Sequence, residues 1–251
     1  MSDTPTPPRP ASTVIVLKDD FSVLLIQRNK AINFFGGAFA FPGGRVEESD
    51  APPSGASISM PVTALRRVPW TKHALRPADL GLNDEQRAYV AYLAAAAREV
   101  KEEVGLDVAI GSLVPWSRWI TPVVEPKRYD TLFFLARVPP GADVQIDGDE
   151  TVLHRWLTPA AAFEAQGRGE ISLPPPTQVT LRELAGFASV DALFAAATQA
   201  EVPEVFPELV AKDDALWLVL PGDPWHSQKA LRPWPDGLPT RAKVDNGIRF
   251  A

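Results

Sequence analysis

The chain has 251 residues, a formal charge of −6, 26 prolines and no cysteine. Without cysteine there are no disulfides, zinc–thiolate sites or cysteine nucleophiles, and the acidic balance argues against a nucleic-acid coat or a membrane-surface protein. No apolar run approaches the ~20 residues that a bilayer span requires. A soluble, cytoplasmic protein with neither nucleic-acid nor membrane partners is therefore expected.

Residues 1–12 lack a basic-then-apolar signal pattern and are expected to form a disordered lead. Residues 13–18 (TVIVLK) and 21–27 (FSVLLIQ) alternate around Asp19-Asp20 and predict a hairpin. A loop then enters Pro42-Gly43-Gly44-Arg45, where two glycines allow a ligand close to the backbone. Residues 51–83 have the composition of an insertion, with a basic stretch LRRVPWTKHALR at 65–76. From Asn83 or Asp84, strong helix formers predict a helix of about twenty residues that Gly105 ends. Strands are expected at 117–120, 131–138, 154–157 and 216–220, and helices at 158–166, 177–186 and 190–199. Residues 13–251 thus read as one α+β domain, with 158–251 a C-terminal helical extension and tail.

The long helix carries the chemistry. At about 100° per residue, Glu99, Glu102 and Glu103 fall within an arc of roughly 100°. Carboxylates so placed repel one another unless a cation sits among them. Either Arg98 and Lys101 make this a solvated acidic face, or it holds a hard cation such as Mg²⁺ or Mn²⁺.

Gly44–Asp50 and Arg98–Leu106 together resemble the Nudix box, G-x5-E-x7-R-E-U-x-E-E-x-G-U, where U is aliphatic. Arg98, Glu99, Val100, Glu102, Glu103, Gly105 and Leu106 fit the second half, and Gly44 fits the first. Asp50 stands at the first glutamate, and residues 51–97 interrupt the box with an insertion of 40 residues. Upstream, Leu24-Leu25, Arg28, Gly37 and Phe41-Pro42-Gly43-Gly44 are similar to the coenzyme A diphosphatase signature of this family. Ile26, Asn29 and Asn33 depart from it, at a threonine, a small residue and a second arginine. A long interruption inside the box also resembles one acyl-coenzyme A diphosphatase branch, although the Arg249-Phe250-Ala251 ending gives no peroxisomal address.

The resemblance implies an α/β/α sandwich with a mixed sheet around the long helix, and hydrolysis of a nucleoside-linked diphosphate with Mg²⁺ or Mn²⁺. Glu99, Glu103 and the Gly44 carbonyl are the implied metal ligands, and Glu102 a third ligand or the proton acceptor. Arg98 would orient these carboxylates by ion pairs, and Asp50 would do structural work or bind metal through water. Glu150, in a later loop, is the candidate base or extra ligand, with Asp147, Asp149 and Glu125 as rivals. Substrate contacts are expected from Arg28, Gly37, Phe41 and Arg45, and from Arg128, whose neighbours Tyr129-Asp130-Thr131 resemble a stretch of the related branch. Arg66 and Arg67 of the insertion are expected to reach a phosphate of coenzyme A. The expected substrate is coenzyme A or acyl-coenzyme A. ADP-ribose, NADH or another nucleoside diphosphate derivative is the alternative, and a non-catalytic ligand sensor the third reading. Members of the family are often dimers, so a homodimer is compatible with the resemblance.

Overall fold

The computed structural model describes residues 6–29, 36–52, 68, 85–146, 148–227, 234, 237–245 and 248–250. Arg66, Arg67, Asn33 and Asp147, and with them almost all of the 51–83 insertion, lie outside the described residues. In chain order come β1 (Arg9–Leu17), β2 (Val23–Arg28), β3 (Phe39–Ala40), β4 (Gly43–Arg45) and a single 3₁₀ turn (Glu48–Asp50). The long helix α1 (Glu85–Val104) is followed by β5 (Val114–Ile120), β6 (Tyr129–Arg137) and β7 (Thr151–Leu157). Three shorter helices come next: α2 (Pro159–Gly167), α3 (Pro175–Ala185) and α4 (Val190–Gln199). The chain closes with β8 (Glu204–Val205), β9 (Glu208–Lys212), β10 (Ala215–Val219), β11 (Arg241–Val244) and β12 (Ile248–Phe250).

The first eight strands form one mixed sheet, in the order β3-β2-β1-β6-β5-β8, with β4 added to β1 and β7 to β2. Its spine is the parallel pairing of β1 with β6 over nine residues, Arg9↔Tyr129 to Leu17↔Arg137. Central parallel strands are covered on both faces, so they read as unbroken apolar runs. Val14 and Val16 accordingly join Leu132 and Phe134 beneath α1, while Ile15 and Leu17 join Phe133 and Leu135 on the other face. Helix α1 lies close to the sheet because alanines 88, 91, 95 and 96 line its buried side. Gly105, at φ 71°, ends it in the left-handed conformation that glycine adopts without strain.

Two expectations need correction. Residues 9–12 are not part of a free lead: they open β1, paired with β6 and, from Ala11, with β4. The C-terminal extension holds more than its helices and the one strand expected at 216–220: that strand, as β10, joins β9, β11 and β12 in a separate four-stranded antiparallel sheet. Leu218, Leu220, Ala242 and Phe250 of this sheet region join the same apolar cluster as Leu25 and Phe133. Burial of that face, not local periodicity, makes strands of a proline-rich tail.

Candidate active site

Strand β4 runs beside β1 with Gly44 opposite Ser12, and the last turns of α1 pack against it. A Cβ on Gly44 would lie 2.4 Å from the carboxylate atoms of Glu99, so only glycine leaves room for that carboxylate against the backbone. One residue earlier, the Gly43 N–H donates to Glu103 Oε2 at 2.8 Å. The two glycines thus hold two carboxylates one helical turn apart.

Arg98 ties the interrupted motif together. Its Nε and Nη2 donate to the two oxygens of Asp50 at 3.0 and 2.9 Å, and Nη2 also reaches the Arg45 carbonyl at 2.9 Å. Its Nη1 bonds Glu99 at 2.8 Å and Glu102 at 3.0 Å. Asp50 is buried, and its Oδ2 also accepts the Glu47 N–H, closing the 3₁₀ turn. The residue before the insertion is therefore pinned to the residue that resumes the motif. Hydrogen bonding to Asp50 is the main reason that the Arg98 guanidinium is held in its charged form more firmly than usual.

The acids differ sharply in environment. Glu103 is 4% exposed, and burial pushes its carboxyl up to about 8, against the Gly43 hydrogen bond and the nearby Arg28 charge. Burial also raises Glu99, opposed by Arg98 and aided by repulsion from Glu102 and Glu150. Glu102 points outward, with its side chain 59% exposed. Glu150 lies near enough to Glu99 and Glu103 to repel both. The end of β2 positions its loop: the Asn29 N–H donates to the Glu150 carbonyl at 2.9 Å, and Asn29 Nδ2 to the Asp149 carbonyl at 2.8 Å.

These groups open into a cavity of about 1060 Å³. Arg28, Phe41, Gly43, Gly44, Arg45, Arg98, Glu99, Glu102, Glu103 and Glu150 all line it, as does Glu125. Two expected substrate contacts lie elsewhere. Arg128 is buried and spends its guanidinium on the backbone carbonyls of Thr121 and Thr6, at 3.0 and 2.7 Å, so it braces the chain ahead of β1. Gly37 closes the β2–β3 turn at φ 81°, bonding the Arg28 carbonyl, and its role there is conformational. Ile26, which replaces the signature threonine, is fully buried beneath α1, so that departure removes no contact with the cavity.

Part of the lining lies outside the substrate contacts that the resemblance implies. Trp119, Tyr129, Pro174 to Thr177, Pro207, Leu218 and Ile248 also line the cavity. By residue type Trp119 is a candidate to stack on an adenine, with core packing as the alternative, and the proline run carries the signal of a helix start.

Among the described residues no group of three acids is already arranged around a single metal position. Arg98 holds Glu102 outward, while Glu99 and Glu103 lie beside the Gly43–Gly44 backbone. Two crowded carboxylates raised by burial, against a backbone with no Cβ, suit a hard divalent cation in donor type.

Comparison with known proteins places this geometry. A profile of the NUDT19 Nudix domain matches residues 87–184. The acyl-coenzyme A diphosphatase NUDT19 of Xenopus laevis is 24% identical over 269 residues, covering 81% of this chain and 71% of that protein. Its human counterpart is 36% identical over 119 residues, covering 45% of this chain and 32% of that protein. The chain thus spans about a third of the human relative. The crystal structure of a Nudix hydrolase from Alicyclobacillus acidocaldarius superposes with a TM-score of 0.57 at 21% identity, over 76% of this chain and 97% of that one. With the carboxylate helix, the double-glycine strand and the interrupted motif in place, these likenesses support a Nudix hydrolase, acting on diphosphate bonds, of the coenzyme A diphosphatase-like kind.

Proposed function

We propose that the protein is a divalent-metal-dependent diphosphatase that hydrolyses coenzyme A or acyl-coenzyme A to 3′,5′-ADP and (acyl-)4′-phosphopantetheine. The observation that carries this reading is the pairing of Glu99 and Glu103 against Gly43 and Gly44 at one side of a cavity that continues well beyond them. The names of the frog and human relatives support the choice of substrate. Mg²⁺ or Mn²⁺, held by Glu99, Glu103 and the Gly44 carbonyl, would neutralise phosphate charge and lower the pKa of a bound water.

The chain's own residues then divide the remaining work. Arg28 lines the cavity next to Glu103 and supplies a guanidinium for a phosphate oxygen. Arg98 stays bonded to Asp50 and holds Glu99 and Glu102 in register without touching substrate. Glu150, on a loop that Asn29 anchors, takes the proton of the attacking water. Glu102, which also lines the cavity and is largely exposed, is the alternative acceptor.

Product analysis tests this. Purified protein with Mg²⁺ or Mn²⁺ is given coenzyme A, acyl-coenzyme A, ADP-ribose and NADH, with Glu103→Gln as control. Release of 3′,5′-ADP that the variant abolishes is expected. AMP formed from ADP-ribose or NADH alone would transfer the assignment to those substrates.

A further inference from the structure

The cavity changes character along its length. At one end stand Arg28 and the carboxylates. The cavity's apolar lining is supplied by Trp119, Pro175, Pro176, Pro207, Leu218 and Ile248, beside the polar Thr121, Lys127, Tyr129 and Thr177. Three of these residues belong to the C-terminal part of the chain: Pro207 precedes β9, Leu218 lies on β10 and Ile248 on β12. The second sheet therefore lines a site whose acids stand on α1 and on the loop before β7.

Helix α3 starts at this wall, and a helix start ordinarily offers free N–H groups to an anion. Here Pro174 is the N-cap, followed by Pro175 and Pro176. Three of the four donors are thereby absent, because proline has no N–H. The result is an apolar surface where a phosphate would find almost nothing to bind.

The sheet register gives the reach. Trp119 lies opposite Thr131, Thr131 opposite Ala11, and Ala11 opposite Arg45. Three strand spacings of ~4.8 Å put Trp119 roughly 14 Å from β4 across the sheet. A group that reaches it must leave the diphosphate on a long arm.

We infer that this end of the cavity is an apolar subsite, lined by the C-terminal sheet, that receives an aliphatic substituent on such an arm, with Ile248 and Leu218 setting the size it accepts. An adenine ring fits less well, because its amine and ring nitrogens would meet proline and aliphatic walls that return few hydrogen bonds. The inference rests on the reading of the site as a diphosphatase and adds the part of the chain that selects the substrate.

The test is the half-buried Ile248. In Ile248→Trp the added ring fills the subsite, and the ratio of kcat/KM for decanoyl-coenzyme A to that for coenzyme A should fall at least tenfold. In Ile248→Ala the same ratio should rise for longer chains. An unchanged ratio in both variants overturns the inference, and so does an equal loss on ADP-ribose, which would put adenine in this wall. Calorimetric binding in EDTA separates the two levels of the reading. Tighter binding of decanoyl-coenzyme A than of coenzyme A, lost in Ile248→Trp, sustains the subsite even where turnover is absent and the diphosphatase reading fails. Equal binding of both ligands by the unmodified protein overturns the subsite whatever the turnover.

Discussion

Glu103 carries an opposition that a measurement can expose. Its carboxyl is raised from an ordinary 4.5 to about 8 by burial. Between those values the folded protein keeps a proton that the unfolded chain has released, so metal-free stability falls as pH rises from about 4.5 to about 8. A divalent cation displaces that proton and removes the penalty. Thermal melts should therefore show a larger gain from Mg²⁺ or Mn²⁺ at pH 8.5 than at pH 6, by about 2–6 °C for roughly 1–2 kcal/mol in a chain of this size. Glu103→Gln should flatten the metal-free pH dependence and lose the metal-induced gain. An equal gain at both pH values would remove Glu103 from the ligand set. Gly44 allows a sharper test, since a Cβ there meets the Glu99 carboxylate at 2.4 Å. Gly44→Ala should keep the fold, because a side chain can yield, yet weaken metal activation by about 10–100-fold. A metal titration of the rate, read beside a circular dichroism melt, checks both halves.

At the scale of elements, α1 was legible because alanine spacing, strong helix formers and a terminal glycine all point the same way. Its acids could be read as a cluster, and Arg98 as their organiser, because side chains three and four apart share a helix face. Arg128 was misread for the opposite reason. Its role depends on the Thr121 and Thr6 carbonyls, and the latter is brought close only by the pairing of β1 with β6. The same pairing conceals the role of Asp130. Its carboxylate accepts two 2.7 Å bonds from Arg118, with neither side chain exposed, locking β5 to β6. Removing one partner of such a pair leaves a charge buried without compensation. Asp130→Asn should therefore destabilise the protein by about 3–5 kcal/mol. Urea unfolding would show the loss as a lower midpoint with little change in slope, and a shift under 1 kcal/mol would mean that the pair is dispensable.

For the whole molecule, the question is what holds the second sheet over the first. Local pattern announced only β10, because β11 and β12 are short, follow a proline-rich stretch and become strands only by pairing with β10 and each other. One link is Gln178 on α3, a fully buried side chain, beside Arg182, whose Nη2 donates to the Phe250 carbonyl at 2.7 Å. Gln178 Nε2 donates to the carbonyls of Leu173 and Ile248 at 2.8 and 2.6 Å, and its Oε1 accepts the Phe250 N–H at 3.2 Å. One amide thus satisfies three backbone groups and fixes β12 against the helix that starts at the cavity wall. Gln178→Ala would leave those groups buried without partners, at roughly 1–3 kcal/mol each before water or relaxation offsets part of the loss. A net destabilisation of about 3 kcal/mol is expected. Because one apolar cluster spans both sheets, the variant should still unfold in a single transition. The informative readout is hydrogen exchange combined with kinetics. Protection should fall across β10 to β12 while α1 keeps its own, and KM should rise more than kcat falls, since the acids stay in place and only the second sheet loosens. Exchange that rises equally in α1 and β12 would show that the two sheets open together, and Gln178 would then stabilise the molecule as a whole without specifically docking the second sheet.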